Sequence, residues 1–248
     1  MCRHLGYVGP PVPLADLLFD PAHALATQAW APRDMRGGGT INADGFGVGW
    51  YPAGPAAPVR YRSAMPIWSD AALPALAATT AAGAVLAAVR SATVGMPVTE
   101  TAAAPFSDGR WLLSHNGVVR GWPGTIAGLA GDLPVEDLLT LEAPTDAAAL
   151  FALVRAKLRA GEPPAKAVAV VVAQVLAAAP GSRLNLLLTD GEQLIATTAG
   201  HALSVRARDD AVLVASEPLD GDPAWQAVPD GRLVVARPGH LSITEGFA

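Results

Sequence analysis

The sequence begins MCRHLGYVGP (residues 1–10). Its segment Arg3–Val8 ends in an aromatic and a β-branched residue and predicts a β-strand, and Cys2 stands directly before it. The apolar run is too short for the core of a secretory signal, and Pro10 interrupts it early. We therefore expect a strand of the folded domain here, with a cysteine at its entrance.

Cys2 is the one cysteine of the sequence. Most lone cysteines are small buried hydrophobic residues. Position 2 also allows a catalytic role, because a small residue after Met1 favours removal of the initiator methionine and leaves Cys2 with a free α-amine. Such an amine titrates at about 7.7–8 and a thiol at about 8.5, so the amine could accept the thiol proton near neutral pH. Both interpretations stay open at this point.

Strand-like runs outnumber helical ones along the rest of the chain. The predicted strands are Arg3–Val8, Gly47–Tyr51, Val59–Arg62, Val85–Arg90, Trp111–Ser114, Leu184–Thr189, Gln193–Thr198, Val212–Ala215 and Leu233–Ala236. Helical patterns occupy Leu14–Phe19, Ala71–Thr80, Asp146–Ala160 and Ala165–Ala179, although the run Val170-Val171-Val172 fits a strand equally well. Antiparallel strands with helices grouped between them indicate an α+β layered domain.

The sequence has no repeat or long linker, which favours a single domain over residues 1–248. The run Gly37-Gly38-Gly39 predicts a flexible turn or lid.

The composition limits the classes of function. Seventeen basic and 22 acidic residues give a net charge of −5 with no basic block, so we expect no nucleic acid and no membrane surface as a partner. The uncharged run 71–88 is interrupted by Pro74 and Gly83, and we expect a soluble, cytoplasmic protein. One cysteine excludes an internal disulfide, and the five histidines lack metal-binding spacing, so no metal site is expected.

Four further patches could carry chemistry, and each also has an ordinary structural interpretation. The segment Asn42–Tyr51 places glycines at alternate positions beside aromatics, which is typical of a strand closely approached by another backbone. It lacks the spacing of a dinucleotide-binding turn. Arg90 ends an apolar strand, either as an ion-paired residue or as a group that binds a carboxylate with two hydrogen bonds.

The other two patches are Ser114–Gly117 and Thr145-Asp146. Asn116-Gly117 is typical of a hairpin turn, but it can also present a side-chain amide beside a backbone N–H, the pair of donors that an oxyanion requires. Thr145 or Asp146 suits the N-cap of a helix, and Asp146 could instead pair with a substrate ammonium group.

Taken in order, Cys2, Arg90–Gly95, Asn116-Gly117 and Asp146 resemble the pattern of class II glutamine amidotransferases, which use an N-terminal cysteine nucleophile. Within that family the sequence is most similar to the γ-glutamyl hydrolases of ergothioneine biosynthesis, in residues 1–6, 42–51, 90–97, 105–117, 183–185 and 215–220. The resemblance spans nearly the whole chain, with no appended synthase domain. It implies the four-layer αββα sandwich of N-terminal-nucleophile hydrolases.

The resemblance also implies a catalytic role for three residues. Cys2 would attack the γ-carbonyl of a γ-glutamyl amide, with its own α-amine as general base. The side-chain amide of Asn116 and the backbone N–H of Gly117 would hold the oxyanion. No cofactor and no metal are implied.

Four more residues are implied in substrate binding. Arg90, helped by Thr93 and the backbone around Val94, would bind the glutamyl α-carboxylate, and Asp146 would bind the α-ammonium. Where the family often reads Thr-Asp-Ser-Glu, this sequence reads Thr-Asp-Ala-Ala over residues 145–148.

The implied reaction is hydrolysis of γ-glutamyl-hercynylcysteine sulfoxide to glutamate and hercynylcysteine sulfoxide. Two alternatives stay open: a glutaminase or glutathione-directed γ-glutamyl amidase, alone or with a partner subunit, and a non-catalytic small-molecule binding domain. The trimethylammonium group of the leaving half would suit an aromatic cage, for which the candidate walls are Trp30, Trp50, Trp68, Trp111 and Trp122. The expected partner is a small-molecule γ-glutamyl substrate, and no oligomeric state is predicted.

Overall fold

A computed structural model describes residues 2–36, 40–54 and 56–247 of the chain. The strands are β1 (Arg3–Pro13), β2 (Phe46–Trp50), β3 (Val59–Ser63), β4 (Ala81–Val89), β5 (Phe106–Asp108), β6 (Trp111–Val118), β7 (Arg183–Thr189), β8 (Leu194–Thr198), β9 (Ser204–Ala207), β10 (Val212–Ala215), β11 (Gln226–Ala227), β12 (Arg232–Arg237) and β13 (His240–Glu245). The helices are α1 (Ala15–Leu18), α2 (Leu25–Gln28), α3 (Leu73–Thr79), α4 (Ala127–Ala130), α5 (Val135–Leu139), α6 (Asp146–Arg159) and α7 (Pro164–Ala178). Single 3₁₀ turns occur at Ile67–Ser69, Glu100–Ala102 and Gly124–Ile126. Met1 and the glycines 37–39, interpreted above as a turn or lid, lie outside the described residues.

The strands form two antiparallel sheets. Sheet 1 has seven strands in the order β11-β9-β10-β1-β4-β2-β3, and sheet 2 has six in the order β13-β12-β8-β7-β6-β5. The first strand of the chain therefore lies in the middle of sheet 1, where Leu5 pairs with Ala87 of β4 on one side and with Ala215 of β10 on the other. The α+β class and the antiparallel pairing predicted from the sequence are confirmed.

Three hydrophobic clusters define four layers, and each cluster fills one interface between layers. The first joins helices α1–α3 to sheet 1 and includes Leu17, Leu25, Leu73, Leu5 and Val85. The second lies between the sheets and includes Val8, Leu86, Leu112, Leu187 and Val234. The third joins sheet 2 to α6 and α7 and includes Leu113, Leu186, Leu150, Val171 and Val175. This is the αββα sandwich that the resemblance implied.

The side chains of β1 alternate between two of these interfaces. Leu5 and Tyr7 pack against the first helical layer, whereas Val8 belongs to the cluster between the sheets. Gly6 faces sheet 2 at close range, because a Cβ built there would lie 2.9 Å from Leu194 Cδ2. The same alternation turns the even-numbered residues at the start of β1 towards sheet 2.

The second helical layer resolves the ambiguity of the valine run. Val168, Val171, Val172 and Val175 of α7 are fully buried and recur at helical spacing, so one face of the helix packs on sheet 2. Each buried valine contributes about 1.5–3 kcal/mol relative to exposure. Packing of that face therefore outweighs the strand preference of three consecutive valines.

The nine predicted strands and the predicted helices all correspond to elements of the structure, with shifted ends. The strand prediction missed β5, β9, β11 and β13, which are short or lie near sheet edges. Asp190-Gly191 has the residue types of a two-residue hairpin turn, but the last pair of β7 and β8 is Thr189 with Leu194, so four residues connect these strands. Within the described ranges, no helix is long and apolar enough to cross a membrane.

Candidate active site

Strand pairing brings Cys2 and Arg90 to the same end of sheet 1. Arg3 pairs with Val89, so the residue before β1 and the residue after β4 leave two adjacent strands side by side. Phe46, at the start of β2, also pairs with Val89, which brings the Asp44–Gly45 segment to this end of the sheet. The strand ends thus gather their polar residues at one edge of the sandwich.

A cleft with an empty volume of about 480 Å³, open solvent included, lies at this edge. Its walls come from the end of β4, from β6 and from the start of α6, and they include Cys2, Arg90, Thr93, His115, Gly117 and Asp146. Cys2 is partly exposed, and its Sγ lies 3.7 Å from the carbonyl oxygen of Ser91. Five of the seven residues named from the sequence therefore line one cleft.

Arg90 is held by backbone oxygens and not by an acid. Its Nη1 donates to the carbonyl oxygen of Pro97 at 2.8 Å and approaches that of Asp44 at 3.4 Å. The Asp44 carboxylate is used elsewhere, since its Oδ2 accepts the backbone N–H of Ala92 at 2.8 Å. No carboxylate of the described residues forms an ion pair with Arg90. Its positive charge is thus available to a bound anion.

Asp146 begins α6 and is 7% exposed. Its Oδ1 accepts the N–H of Ala147 at 2.8 Å and its Oδ2 accepts that of Val119 at 2.9 Å, while Thr145 caps the helix through the N–H of Ala148. Backbone donors therefore orient the carboxylate, although alanines replace the Ser-Glu pair that often follows it in the family. A carboxylate has about four acceptor sites, so two donors leave capacity for a substrate ammonium.

Alternation along the strands places Asn116 opposite Cys2, on the other side of the space between the two sheets. The sheets meet where His4 Nδ1 and Ser114 Oγ lie 2.8 Å apart. From this contact β1 reaches the cleft at Cys2 and β6 reaches it at Gly117. Because side chains alternate along a strand, the next residues facing the space between the sheets are Cys2 on one side and Asn116 on the other.

The side chain of Asn116 has no hydrogen-bond partner among the described residues. It is 1% exposed, and neither its Oδ1 nor its Nδ2 is bonded. Asn116 does not itself line the cleft, but its neighbours His115 and Gly117 do. A buried amide without a partner costs free energy unless a ligand satisfies it. The side-chain amide of Asn116 is therefore available to donate a hydrogen bond to an oxygen bound at Cys2.

The two remaining predicted residues lie on a turn at the mouth of the cleft. The N–H of Met96 donates to the carbonyl oxygen of Thr93 at 2.9 Å, and Gly95 adopts φ +88°, which favours glycine at that position. Thr93 lines the cleft, whereas the Val94 side chain is fully exposed and does not. Any contribution of Val94 to the cleft therefore comes from its backbone and not from its side chain.

A buried network behind Cys2 was not found from the sequence. Glu217 is 3% exposed and accepts from Arg3 Nε at 2.9 Å, from His23 Nε2 at 2.7 Å and from the backbone N–H groups of Arg33 and Asp34 at 2.8 and 3.2 Å. Burial alone would raise the pKa of this carboxyl, but the hydrogen bonds and Arg3 outweigh it and lower the pKa to about 2. Arg3 in turn donates through Nη1 to the carbonyl oxygen of Cys2 at 3.1 Å. The network anchors the backbone of the candidate nucleophile.

Two histidines lie in the interior below the cleft. Burial, with further contributions from the nearby His115, His201 and Arg3, lowers the pKa of His4 to about 3. Burial and the positive charge of Arg183 likewise lower the pKa of His201 to about 3. Both imidazoles are therefore neutral at neutral pH, so neither adds a positive charge near the thiol.

None of the five tryptophans considered for an aromatic cage is among the residues that line the cleft. Trp50 packs against the core between sheet 1 and its helices, while Trp111 and Trp122 pack against the core of the opposite helical layer. Trp30 and Trp68 are 58% and 47% exposed. Across the part of the chain that the structure describes, no group of three or more metal-ligating side chains could hold a metal ion.

Comparison with known proteins gives consistent matches. A family model described as "Glutamine amidotransferases class-II" matches residues 19–210. A curated gamma-glutamyl-hercynylcysteine sulfoxide hydrolase of Mycolicibacterium smegmatis is 42% identical, covering 98% of this chain and 99% of that protein. The protein of the same name from Mycobacterium tuberculosis is 41% identical over 98% of this chain and 96% of its own length.

Solved structures match over the same extent. A glutamine aminotransferase class-II domain protein from Silicibacter pomeroyi has a TM-score of 0.71 and 25% identity, with all of both chains covered. The family model, the full-length relatives and the fold agree with one another. This chain belongs to the class II glutamine amidotransferase family.

Proposed function

We propose that this protein hydrolyses the γ-glutamyl amide bond of γ-glutamyl-hercynylcysteine sulfoxide, releasing glutamate and hercynylcysteine sulfoxide in ergothioneine biosynthesis. The observation that carries the proposal is the cleft in which Cys2 lies with one cation, Arg90, and one anion, Asp146. A γ-glutamyl group bears a carboxylate and an ammonium on one carbon, so these charges complement its head group. The curated relatives with that activity support the choice of leaving group.

Binding of the head group fixes the position of the reacting carbonyl. Arg90 takes the α-carboxylate with help from Thr93 and the backbone around Val94, and Asp146 takes the α-ammonium. The γ-carbonyl, three bonds from that carbon, then lies at the Cys2 thiol. Such placement can supply about 7–11 kcal/mol of the activation barrier.

The chemical steps use the N-terminal residue itself. After removal of Met1, the α-amine of Cys2 accepts the thiol proton, and the thiolate attacks the γ-carbonyl. The side-chain amide of Asn116 and the backbone N–H of Gly117 stabilise the resulting oxyanion, each by about 2.7–4 kcal/mol. The α-ammonium then protonates the leaving amine as the C–N bond breaks, which leaves a thioester on Cys2.

Water completes the cycle. The α-amine removes a proton from water, the hydroxide adds to the thioester, and collapse of the second tetrahedral intermediate releases glutamate and the thiol. The steps balance with water as the one co-reactant, and the proposal includes no cofactor. We also propose a cytoplasmic location, which a chain with a single cysteine and no disulfide supports.

The test compares turnover of the sulfoxide conjugate, glutamine and glutathione by the purified protein. We expect kcat/KM for the conjugate to exceed the other two at least ten-fold, and intact-mass measurement to find the N-terminus at Cys2. Cys2→Ala should abolish turnover while substrate binding remains. A glutamyl adduct on the wild-type protein, absent from Cys2→Ala, would identify the thioester.

The alternatives predict different results. Equal or faster turnover of glutamine or glutathione would favour a glutaminase or a glutathione-directed amidase. Binding without turnover of any of the three substrates, or retention of Met1 on the folded protein, would favour a non-catalytic binding domain. Wild-type turnover by Cys2→Ala would exclude Cys2 as the nucleophile.

A further inference from the structure

Arg183 begins β7, the strand beside β6, and the proposed mechanism does not use it. It pairs with Val118 of β6, and its carbonyl oxygen lies 3.1 Å from Nε2 of His115, which lines the cleft. Leu184 and Leu186 of the same strand pack against the helical layer, whereas Leu187 lies between the sheets. By alternation, Arg183 turns its side chain towards sheet 1, the side on which Cys2 lies.

The guanidinium of Arg183 has no anionic partner within the described ranges. Its Nε is buried without a hydrogen-bond partner, and it forms no ion pair there. Its side chain lies over Gly200, where an added Cβ would come within 2.7 Å of Arg183 Cγ. Asp230 accepts the N–H of Gly200 at 2.8 Å but forms no ion pair with Arg183. An unpaired, partly buried cation is costly, and a bound anion would offset that cost.

The strand order separates Arg183 from Arg90. In sheet 1, β1 is flanked by β4, whose next residue is Arg90, and by β10. In sheet 2, β6 is flanked by β5 and by β7, which carries Arg183. Across the sandwich β4 contacts β6, whereas β1 contacts β6, β7 and β8, so β7 lies towards the side of β1 that faces away from β4. A γ-glutamyl amide that reaches from Arg90 to Cys2 therefore continues in the direction of β7.

We infer that Arg183 binds the α-carboxylate of the leaving amino acid and makes the enzyme selective for γ-glutamyl amides of α-amino acids. The inference depends on the proposed function, because the leaving half of γ-glutamyl-hercynylcysteine sulfoxide is a cysteine whose carboxylate lies on the carbon next to the scissile nitrogen. A guanidinium binds a carboxylate with two parallel hydrogen bonds, which suits a group at that fixed distance. Glutamine releases ammonia and offers Arg183 nothing to bind.

Two pairs of substrates test this assignment. γ-Glutamylethylamide is γ-glutamylalanine without the leaving-group carboxylate, and glutamine lacks the whole leaving half of the sulfoxide conjugate. For each protein we compare kcat/KM for the carboxylate-bearing substrate with that for its partner. The ratio does not depend on the fraction of protein that is folded, so partial misfolding of a variant leaves it interpretable.

Arg183→Gln should lower both ratios by 10- to 100-fold, and Arg183→Lys should lower them less, because a lysine keeps the charge but loses the paired geometry. Arg237→Gln, an exposed arginine at the end of β12, is the matched control and should leave both ratios unchanged. Unchanged ratios in Arg183→Gln would overturn the inference while the proposed function stands. Failure of the wild-type protein to hydrolyse the conjugate would instead overturn the proposed function.

Discussion

Replacement of Glu217 by glutamine should destabilise the protein in a way that depends on pH. The carboxylate accepts from Arg3, from His23 and from two backbone N–H groups in a site that is 3% exposed. Glutamine has nearly the same shape but no charge, and its NH₂ group would face N–H donors from which it cannot accept a hydrogen bond. The change therefore leaves the buried guanidinium of Arg3 without its counter-charge.

The size of the effect follows from two estimates. Removing one partner of a buried ion pair costs about 3–5 kcal/mol, which is the loss in unfolding free energy that we expect at pH 7. The pKa of Glu217 falls from 4.5 to about 2 in the folded protein, and at 1.36 kcal/mol per pKa unit this corresponds to about 3 kcal/mol of stability. Because the folded pKa is the lower one, that contribution is complete above pH 4.5 and disappears as the pH falls towards 2.

Urea unfolding of the wild type and Glu217→Gln between pH 7 and pH 2 measures both quantities. The difference in unfolding free energy should be 3–5 kcal/mol at neutral pH and should shrink by about 3 kcal/mol between pH 4.5 and 2. Glu245→Gln is the matched control, because that carboxylate pairs with Arg232 while 91% exposed and should contribute at most about 1 kcal/mol. A difference below 1 kcal/mol, or one that does not change with pH, would refute the assigned role of Glu217.

Three further substitutions probe the site. Gly117→Ala should lower both Tm and turnover, because the new Cβ would overlap the carbonyl oxygen of Arg183. Gly124→Ala is the control and should change neither, because a Cβ there meets no atom within 4 Å. Equal Tm values for the two variants would contradict the close packing at Gly117. The pKa of His4 is about 3 when folded against 6.5 in the unfolded chain, so stability should fall as the pH drops from 6.5 to 3. His4→Gln should flatten that part of a urea-unfolding profile, and an unchanged slope would contradict the shift. Asp146→Asn should raise KM at least ten-fold with a smaller effect on kcat, measured by steady-state kinetics. An unchanged KM would contradict the proposed contact between Asp146 and the substrate ammonium group.

The longer strands and helices could be predicted from the local pattern of apolar and polar residues. The strand core and the two long helices were predicted because alternation and helical spacing report burial on one face directly. β5 has three residues, too few for a period, and β13 lies at a sheet edge with partly exposed side chains. The four-residue connection after Thr189 depends on the side chain of Asp190, which accepts the N–H groups of Glu192 and Gln193. A local pattern of turn residues does not distinguish these lengths.

Some residues of the candidate site could likewise be predicted from the sequence, and others could not. Arg90 and Asp146 stand at the ends of regular elements, and that position was visible in the sequence. Glu217 stands two residues after the end of β10, so a similar signal was present, but its partners come from three distant segments of the chain. Contacts of that range are created by sheet order, which no local pattern specifies. That Arg183 has no acidic partner among the described residues likewise became apparent only from the three-dimensional structure.

The central place of β1 makes the position of Cys2 depend on residues that are synthesised much later. The strand that follows Cys2 has β10 as one of its two neighbours, and Arg3 and Glu217 are 214 positions apart. A nascent chain that stops before residue 212 exposes one edge of β1, and one that stops before residue 217 leaves Arg3 without its counter-ion. The contacts that hold the backbone of Cys2 therefore form only after synthesis has passed residue 217.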